Sequence, residues 1–269
     1  MSEKKRVYEL VSSQSQQEPS FVEKFLLCVC SLIAFVIVIA PVEAKSSFDI
    51  FLEAGGVWQN RNDVEIEPGT GTRVEIDRAN EGPFFHYRLE GYYRINKHHA
   101  LRLVYAPSTI EVTQNFTQDV NFNDQTFAAG QDIDIRYQFN SYRLSYLYGF
   151  LEFGGDQVNI GFTAKIRDAE TRFSQPGLSS SFSNVGFVPL IYFELQKELT
   201  KKWILNLTMD AAAASQGRAI DVALKVRRQI GESTQVGMGY RTLEGGADND
   251  EVFTFSWFNY ATVDLAVSF

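Results

Sequence analysis

The chain has 269 residues, with 25 Lys+Arg against 33 Asp+Glu, a formal net charge of −8 and 14% aromatic residues. An acidic chain without a basic stripe carries no electrostatic footprint for nucleic acid. Its two cysteines, Cys28 and Cys30, share one apolar stretch near the start, which leaves the rest of the chain without a disulfide or a thiol nucleophile.

That stretch, residues 25–40, follows Lys24 and leads into Pro41-Val42-Glu43-Ala44. Val42-x-Ala44 has the small-residue spacing of a signal-peptidase site. Residues 1–44 therefore read as a signal peptide with a long polar n-region, cleaved between Ala44 and Lys45. An uncleaved anchor is the alternative, because the run falls just short of the roughly 17 residues that span a bilayer. Leu27 before Cys28 and Val29 before Cys30 are too large for a lipoprotein site. No later window is apolar for long enough to be a membrane helix, and residues 45–269 fit one all-β domain.

From Ser47 onward the sequence alternates apolar and polar residues in segments separated by breaks that are short and long in turn. The first strand sets Phe48, Ile50, Leu52, Ala54 and Trp58 against Asp49, Glu53 and Gln59. The long break after it, to Gly82, holds two alternating pieces around Pro68-Gly69-Thr70-Gly71 and reads as a protruding hairpin. The second strand, residues 84–95, sets Tyr87, Leu89, Tyr93 and Ile95 against His86, Arg88, Glu90 and Arg94. Asn96-Lys97-His98 turns it into a third, with Leu101, Leu103 and Tyr105 opposite Arg102. Residues 109–134 form a second protruding hairpin around Val120-Asn121-Phe122-Asn123.

The fourth strand sets Tyr142, Leu144, Tyr146 and Tyr148 against Ser141, Arg143 and Ser145, and Gly154-Gly155-Asp156 ends it. The fifth sets Val158, Ile160, Phe162, Ala164 and Ile166 against Lys165 and Arg167. Residues 168–184, rich in Ser and Gly, read as a long loop with no need of order. Pro189 removes a ladder donor from the sixth strand and predicts a bulge or a poorly paired site there. Its Phe187, Ile191, Phe193 and Leu195 oppose Tyr192 and Glu194. After Thr200-Lys201-Lys202 the seventh strand sets Trp203, Leu205, Leu207 and Met209 against Asn206 and Asp210. Beyond the turn Ser215-Gln216-Gly217, the eighth sets Ile220, Val222, Leu224 and Val226 against Asp221, Lys225 and Arg227. Gly231-Glu232-Ser233 leads to a ninth with Arg241 on its polar face, and residues 244–251 are a last loop.

The closing strand puts Ala261, Val263, Leu265, Val267 and Phe269 on one face and Thr262, Asp264, Ala266 and Ser268 on the other. Ending on an aromatic, it resembles the C-terminal strand of Gram-negative outer-membrane β-barrels. The resemblance implies an all-β fold: an antiparallel up-and-down transmembrane β-barrel of about ten strands with extracellular hairpin extensions and both termini periplasmic. It also implies that Phe269 is read by the barrel-assembly machinery, and that the surroundings are outer-membrane lipid and lipopolysaccharide. Aromatic residues near strand ends, among them Trp58, Tyr93, Tyr105, Tyr146, Tyr148 and Trp203, fit interface girdles rather than a soluble barrel.

With the apolar face on lipid, the polar set points into the lumen: Asp49, Glu53, Arg88, Glu90, Arg94, Arg102, Arg143, Lys165, Arg167, Glu194, Asp210, Asp221, Lys225, Arg227, Arg241 and Asp264. A ten-strand lumen is only slightly wider than one that side chains fill, so these charges are expected to pair and plug it. Outer-membrane proteases of similar strand number use acidic pairs with a His two residues after an Asp. Asp132-x-Asp134 offers the acids, but no Asp-x-His occurs. His86 is the single candidate base for a rim enzyme, and it reads first as a satisfied lumen histidine. The acidic run Gly245-Gly246-Ala247-Asp248-Asn249-Asp250-Glu251 departs from calcium-loop spacing and reads as a solvated turn. No metal and no cofactor is expected. The leading functional reading is a monomeric structural or surface-interaction barrel, with a narrow channel for small or amphipathic solutes second. A rim enzyme acting on lipid or peptide, requiring His86 close to a Ser or a carboxylate, is third.

Overall fold

The computed structural model describes residues 47–214 and 217–269. The signal peptide and the cleavage site between Ala44 and Lys45 lie outside these residues, as do Ser215 and Gln216 of the turn expected there. The strands are β1 (Ser47–Ile66), β2 (Val74–Glu75), β3 (Phe84–Arg94), β4 (His99–Ala106), β5 (Thr109–Asn115), β6 (Val120–Phe122) and β7 (Gln125–Phe127). They continue as β8 (Asp132–Phe153), β9 (Asp156–Gln175), β10 (Leu178–Thr200), β11 (Trp203–Ala214), β12 (Gly217–Gln229), β13 (Thr234–Asp248) and β14 (Val252–Ser268).

Ten of them, β1, β3, β4 and β8 to β14, run antiparallel in an up-and-down order, and β14 pairs back onto β1. The chain is thus a closed β-barrel. The seam between first and last strands carries Ile50↔Val267 and Glu53↔Asp264, and the Phe269 N–H donates to the Phe48 carbonyl at 2.8 Å. Closure pairs the first strand with the last, which is the condition for placing strands in lipid.

A strand needs roughly 9–11 residues to cross a bilayer. β11 and β12 have 12 and 13, whereas β1, β8, β9 and β10 have 20, 22, 20 and 23. The wall is therefore low on one side and tall on the other. The tall end is the one opposite the start of β1 and the end of β14.

A level line crosses the tall wall at the cross-strand neighbours Tyr142, Ile166 and Phe187. Below it the outward side chains are apolar, as in Leu144, Tyr146, Ile160, Phe162 and Ile191, and several are widely exposed. Above it they are Gln138, Arg136, Asp168, Glu170, Arg172, Ser183 and Ser181. The inner face changes the other way. Ser141, Arg143, Ser145, Thr163 and Lys165 are buried below, while Ile133, Ile135, Tyr137 and Phe173 are buried above. Water cannot be the solvent of the lower outer face, because exposed apolar patches of this extent are not kept on soluble monomers. The lower part spans the membrane.

The upper part has its own apolar core. Val64, Ile66, Val74, Ile76, Ile110, Val120, Phe122, Phe127, Ile133, Ile135 and Phe173 form one cluster. The two protruding hairpins expected from sequence meet in it: β2 pairs β1, β5 pairs β8, and the β6–β7 hairpin lays Phe122 on Phe173 at 4.2 Å between ring centroids.

Two expectations are corrected, and at Pro189 the poorly paired site, not the bulge, is what forms. Residues 168–184 are not a loop: β9 and β10 pair through this whole range and turn only at Pro176-Gly177, where Gly177 adopts a φ of 80°. Residues 244–251 are mostly strand, since β13 runs to Asp248. Pro189 causes no bulge toward β9, where it stays in register with Ala164; the ladder to its other neighbour, β11, begins only at Ile191↔Ala211. A proline is tolerated there because that side has no ladder to interrupt.

Candidate functional site

The lumen at membrane level holds a layer of ionised side chains contributed by strands from all around the wall. Asp221 on β12 receives Arg143 at 2.7 Å, Arg241 at 2.6 Å and Arg88 at 3.2 Å. Asp210 on β11 receives Arg143 at 2.7 Å and Arg102 at 3.1 Å, and the Thr163 hydroxyl donates to it at 2.7 Å. Glu90 pairs with Arg88 at 2.6 Å and Arg102 at 2.8 Å. Glu53 pairs with Lys225 at 2.5 Å and Arg241 at 2.9 Å. Asp264 takes Arg227 at 2.7 Å.

Several of these pairs span the barrel rather than neighbouring strands, so the layer crosses the lumen. Arg143 forks between Asp210 and Asp221 with 2% of its surface exposed, and Arg102 is 1% exposed. A planar guanidinium supplies several donors at fixed angles, which is what joins two carboxylates at once. Here Arg88, Arg102, Arg143, Lys225, Arg227 and Arg241 outnumber Glu53, Glu90, Asp210, Asp221 and Asp264 by one. Local backbone follows the packing: a Cβ at Gly237 would sit 2.7 Å from both Arg227 and Asp264, so this position must lack a side chain.

Toward the short-turn end the lumen fills with aromatic rings. Arg102 lies 4.8 Å over the Tyr192 ring and 5.9 Å from that of Tyr92, and the two hydroxyls are 3.2 Å apart. Arg227 lies 4.5 Å over Phe51. Glu194 accepts from Asn206 at 2.9 Å and Asn159 at 3.0 Å. Asp49 pairs with the half-exposed Arg94 at 2.5 Å, at the rim. Toward the tall end, the Tyr137 hydroxyl meets Ser256 at 2.8 Å, and burial raises its phenol above the ordinary value.

Sequence-predicted residues thus fall into groups. Glu53, Arg88, Glu90, Arg102, Arg143, Asp210, Asp221, Lys225, Arg227, Arg241 and Asp264 come together in the layer. Glu194 and Arg94 lie apart from it, nearer the short-turn end. Lys165 and Arg167 line the wall without a carboxylate within ion-pair distance among the described residues. Thr163, Tyr92 and Tyr192 share the polar register of their strands and are part of the packing, although only their charged neighbours stand out in sequence. Phe51 had no signal, being an apolar residue on the polar face.

His86 Nε2 is 2.9 Å from Glu53 Oε1, and its ring packs edge-on to Tyr260 at 4.7 Å. The carboxylate that a rim enzyme requires is present, but Arg241 and Lys225 already hold it, and among the described residues no serine hydroxyl bonds to the ring. Asp132 and Asp134 are occupied by Asn115 and Thr113 across the β5–β8 ladder. In the acidic turn, Asn249 accepts from the Glu251 and Val252 amides at 2.9 and 3.0 Å. Among the described residues no group of three or more His, Cys, Asp or Glu side chains converges to hold a metal.

No protein-family model matches the chain, and no curated protein matches its sequence. Among solved structures it is similar to the outer-membrane protease OmpT from Escherichia coli, with a TM-score of 0.52 at 8% identity, covering 83% of this chain and 97% of that one. The attachment invasion locus protein Ail of Yersinia pestis aligns at a TM-score of 0.37 and 11% identity, covering 82% of this chain and 99% of that one. Neisserial surface protein A aligns at 0.35 and 12%, covering 82% and 97%. These identities speak to fold alone. The fold is a closed antiparallel up-and-down barrel of ten strands, similar to that of the outer-membrane protease.

Proposed function

We propose that this barrel does not conduct, and that its tall end is a surface for interaction outside the cell. The observation that carries the first part is the cross-lumen bridge of Arg143 to Asp210 and Asp221, flanked by Arg88, Arg102 and Arg241. Groups so paired are costly to separate, because one partner left alone is an uncompensated buried charge. A hydrated solute passing this level has to separate them.

The two ends support one orientation. Short turns at Asn96–His98, Gly154-Gly155, Lys201-Lys202 and Gly231–Ser233 share one end with the start of β1 and the end of β14. In single-chain bacterial barrels that end is periplasmic, which puts the β6–β7 hairpin and the β9–β10 turn outside. The wall above the level line buries its own apolar core, so it is a folded platform rather than a set of loops.

Single-channel recording in a planar bilayer tests the first part. A silent, heat-modifiable barrel is the expected result. Steady current steps that grow with salt would overturn it in favour of a narrow channel. An epitope inserted at Pro176-Gly177 should be reached by antibody on intact cells; labelling only after permeabilisation would reverse the orientation.

A further inference from the structure

Above the charge layer and beneath the apolar core lies a cavity of about 450 Å³. Arg143, Asp210 and Asp221 form its floor, and Tyr137, Phe139 and Phe258 stand on its far wall. Its size is that of a small-ligand site, roughly 300–1,000 Å³. It exists because the low side of the barrel is built from small residues at this height: Ala212, Ala214, Gly217, Ala219, Gly245 and Gly246.

Two cations face it unspent. Lys165 is 4% exposed and has no carboxylate within ion-pair distance among the described residues; its ammonium lies 4.8 Å from the Phe139 ring. Arg167 donates to Asn184 at 2.6 Å, but its buried Nε has no hydrogen-bond partner among the described residues. A Cβ at Gly186 would come within 3.2 Å of the Arg167 guanidinium, so glycine there keeps the group's space. A buried ammonium without a carboxylate and a buried guanidinium N–H without an acceptor are costly, and a cavity beside them is where an anion belongs.

The wall beside these cations is open. Lys165 and Arg167 pair across the sheet with Val188 and Gly186 of β10. Over this same stretch β10 has no ladder to β11, whose pairing with it stops at Ile191↔Ala211 although β11 continues to Ala214. Pro189 has no N–H with which to extend that ladder. By strand alternation Phe187, Pro189 and Ala213 point outward, yet they line the cavity together with the inward Val188, Leu190 and Ala212. The cavity thus reaches the facing edges of both strands at the height where no ladder joins them. The outer face of β10 is apolar here, from Val185 to Ile191, and becomes serine-rich only above it. The gap therefore opens onto lipid, just below the level line.

We propose that this cavity binds a single-chain amphiphile with an anionic head. The carboxylate or phosphate sits on Lys165 and Arg167, and the chain leaves between β10 and β11 into the outer leaflet. The proposal rests on the closed-lumen reading, since the charge layer is the floor of the site.

The test titrates the full-length protein, held in a neutral maltoside detergent, with laurate, dodecyl phosphate, dodecanol and butyrate, followed by calorimetry. Saturable binding of laurate or dodecyl phosphate, with dodecanol and butyrate far weaker, is the expected result, and the stronger of the two heads identifies the source as free fatty acid or phospholipid-like. Lys165→Gln and Arg167→Gln should each weaken binding about tenfold or more, the scale of a lost hydrogen bond to a charged group. Ala213→Trp, which fills the gap from outside, should weaken it while leaving both cations in place. If a variant fails to fold, as judged by gel mobility before and after heating, a photoreactive laurate on the wild-type protein decides instead. Adducts within residues 186–190 or 211–214 support the site; adducts only elsewhere overturn it, as do equal affinities for laurate, dodecanol and butyrate. Absent binding of both laurate and dodecyl phosphate in a silent barrel sinks this proposal alone, whereas steady conductance sinks the closed-lumen reading beneath it.

Discussion

The two halves of β8 and β9 differ in which of their faces is apolar, although neither strand breaks between them. On β9 the outward residues run Ile160, Phe162, Ala164 and Ile166 and then Asp168, Glu170 and Arg172, while the inward ones run Thr163, Lys165 and Arg167 and then Ala169, Thr171 and Phe173. The backbone register with β8 is unshifted through this change. The medium outside sets the pattern: where it is lipid the polar face must turn inward and satisfy itself, and where it is water the apolar face turns inward and forms a core. One barrel thus has two interiors, an ionic one in the membrane and an oily one above it.

The largest effect should come from breaking the ionic interior. Arg143→Ala leaves Asp210 and Asp221 each short of a partner, at a cost of about 3–5 kcal/mol. Urea titration of the gel-mobility shift should record the loss over the whole barrel. Phe173→Ala removes the ring that stacks on Phe122 in the oily interior, and a buried Phe→Ala change costs about 3–5 kcal/mol where it acts. Its effect should be local: limited proteolysis should open the β6–β7 hairpin while the barrel's own transition stays in place. If Phe173→Ala instead melts the barrel as deeply as Arg143→Ala, the two interiors are one cooperative unit.

This inversion also explains what sequence reading could and could not recover. Alternation keeps its phase within the membrane, so the strand count, the closing strand at Ala261 to Phe269 and the charged lumen set were legible. At Asp168 the apolar residues move from even to odd positions. A pattern search sees the phase slip as the end of a strand, and the serines of β10 finish the impression of a loop. Only the pairing of β9 with β10 shows that the chain continues. Which charges meet was not legible either. Arg143 and Asp221 are brought together by the curvature of a closed sheet, and nothing in their spacing along the chain predicts that Lys165 is left out. The gap beside Pro189 had a signal, a missing donor, but its side of the strand depended on where β11 stops.

A smaller effect separates the two outer faces. Phe162→Arg places a cation on lipid, where the cost is about 2–4 kcal/mol near the midplane and less toward the interface. Ser183→Arg, on the adjacent strand above the level line, faces water and should change stability by no more than about 0.5 kcal/mol. Paired urea titrations in phospholipid vesicles measure the difference. Equal costs would move the membrane boundary above Ser183.

The smallest effect should come from an arginine–carboxylate contact made on the outer face of the tall wall. Arg172 pairs with Glu170 at 2.5 Å, closer than Arg143 is to either of its own partners at 2.7 Å. Distance alone therefore ranks Arg172 first. Its side chain is 47% exposed, however, and Glu170 keeps Arg136 at 2.9 Å when Arg172 is removed. A half-solvated pair recovers most of its attraction from water, so Arg172→Ala should cost only about 0–1 kcal/mol. Raising the salt should erase even that, because screening acts on exposed charges within roughly 3 Å at 1 M. The cost of Arg143→Ala should persist at the same salt, since ions do not enter a filled lumen. Similar sensitivity of the two variants to salt would show that water reaches the Arg143 bridge.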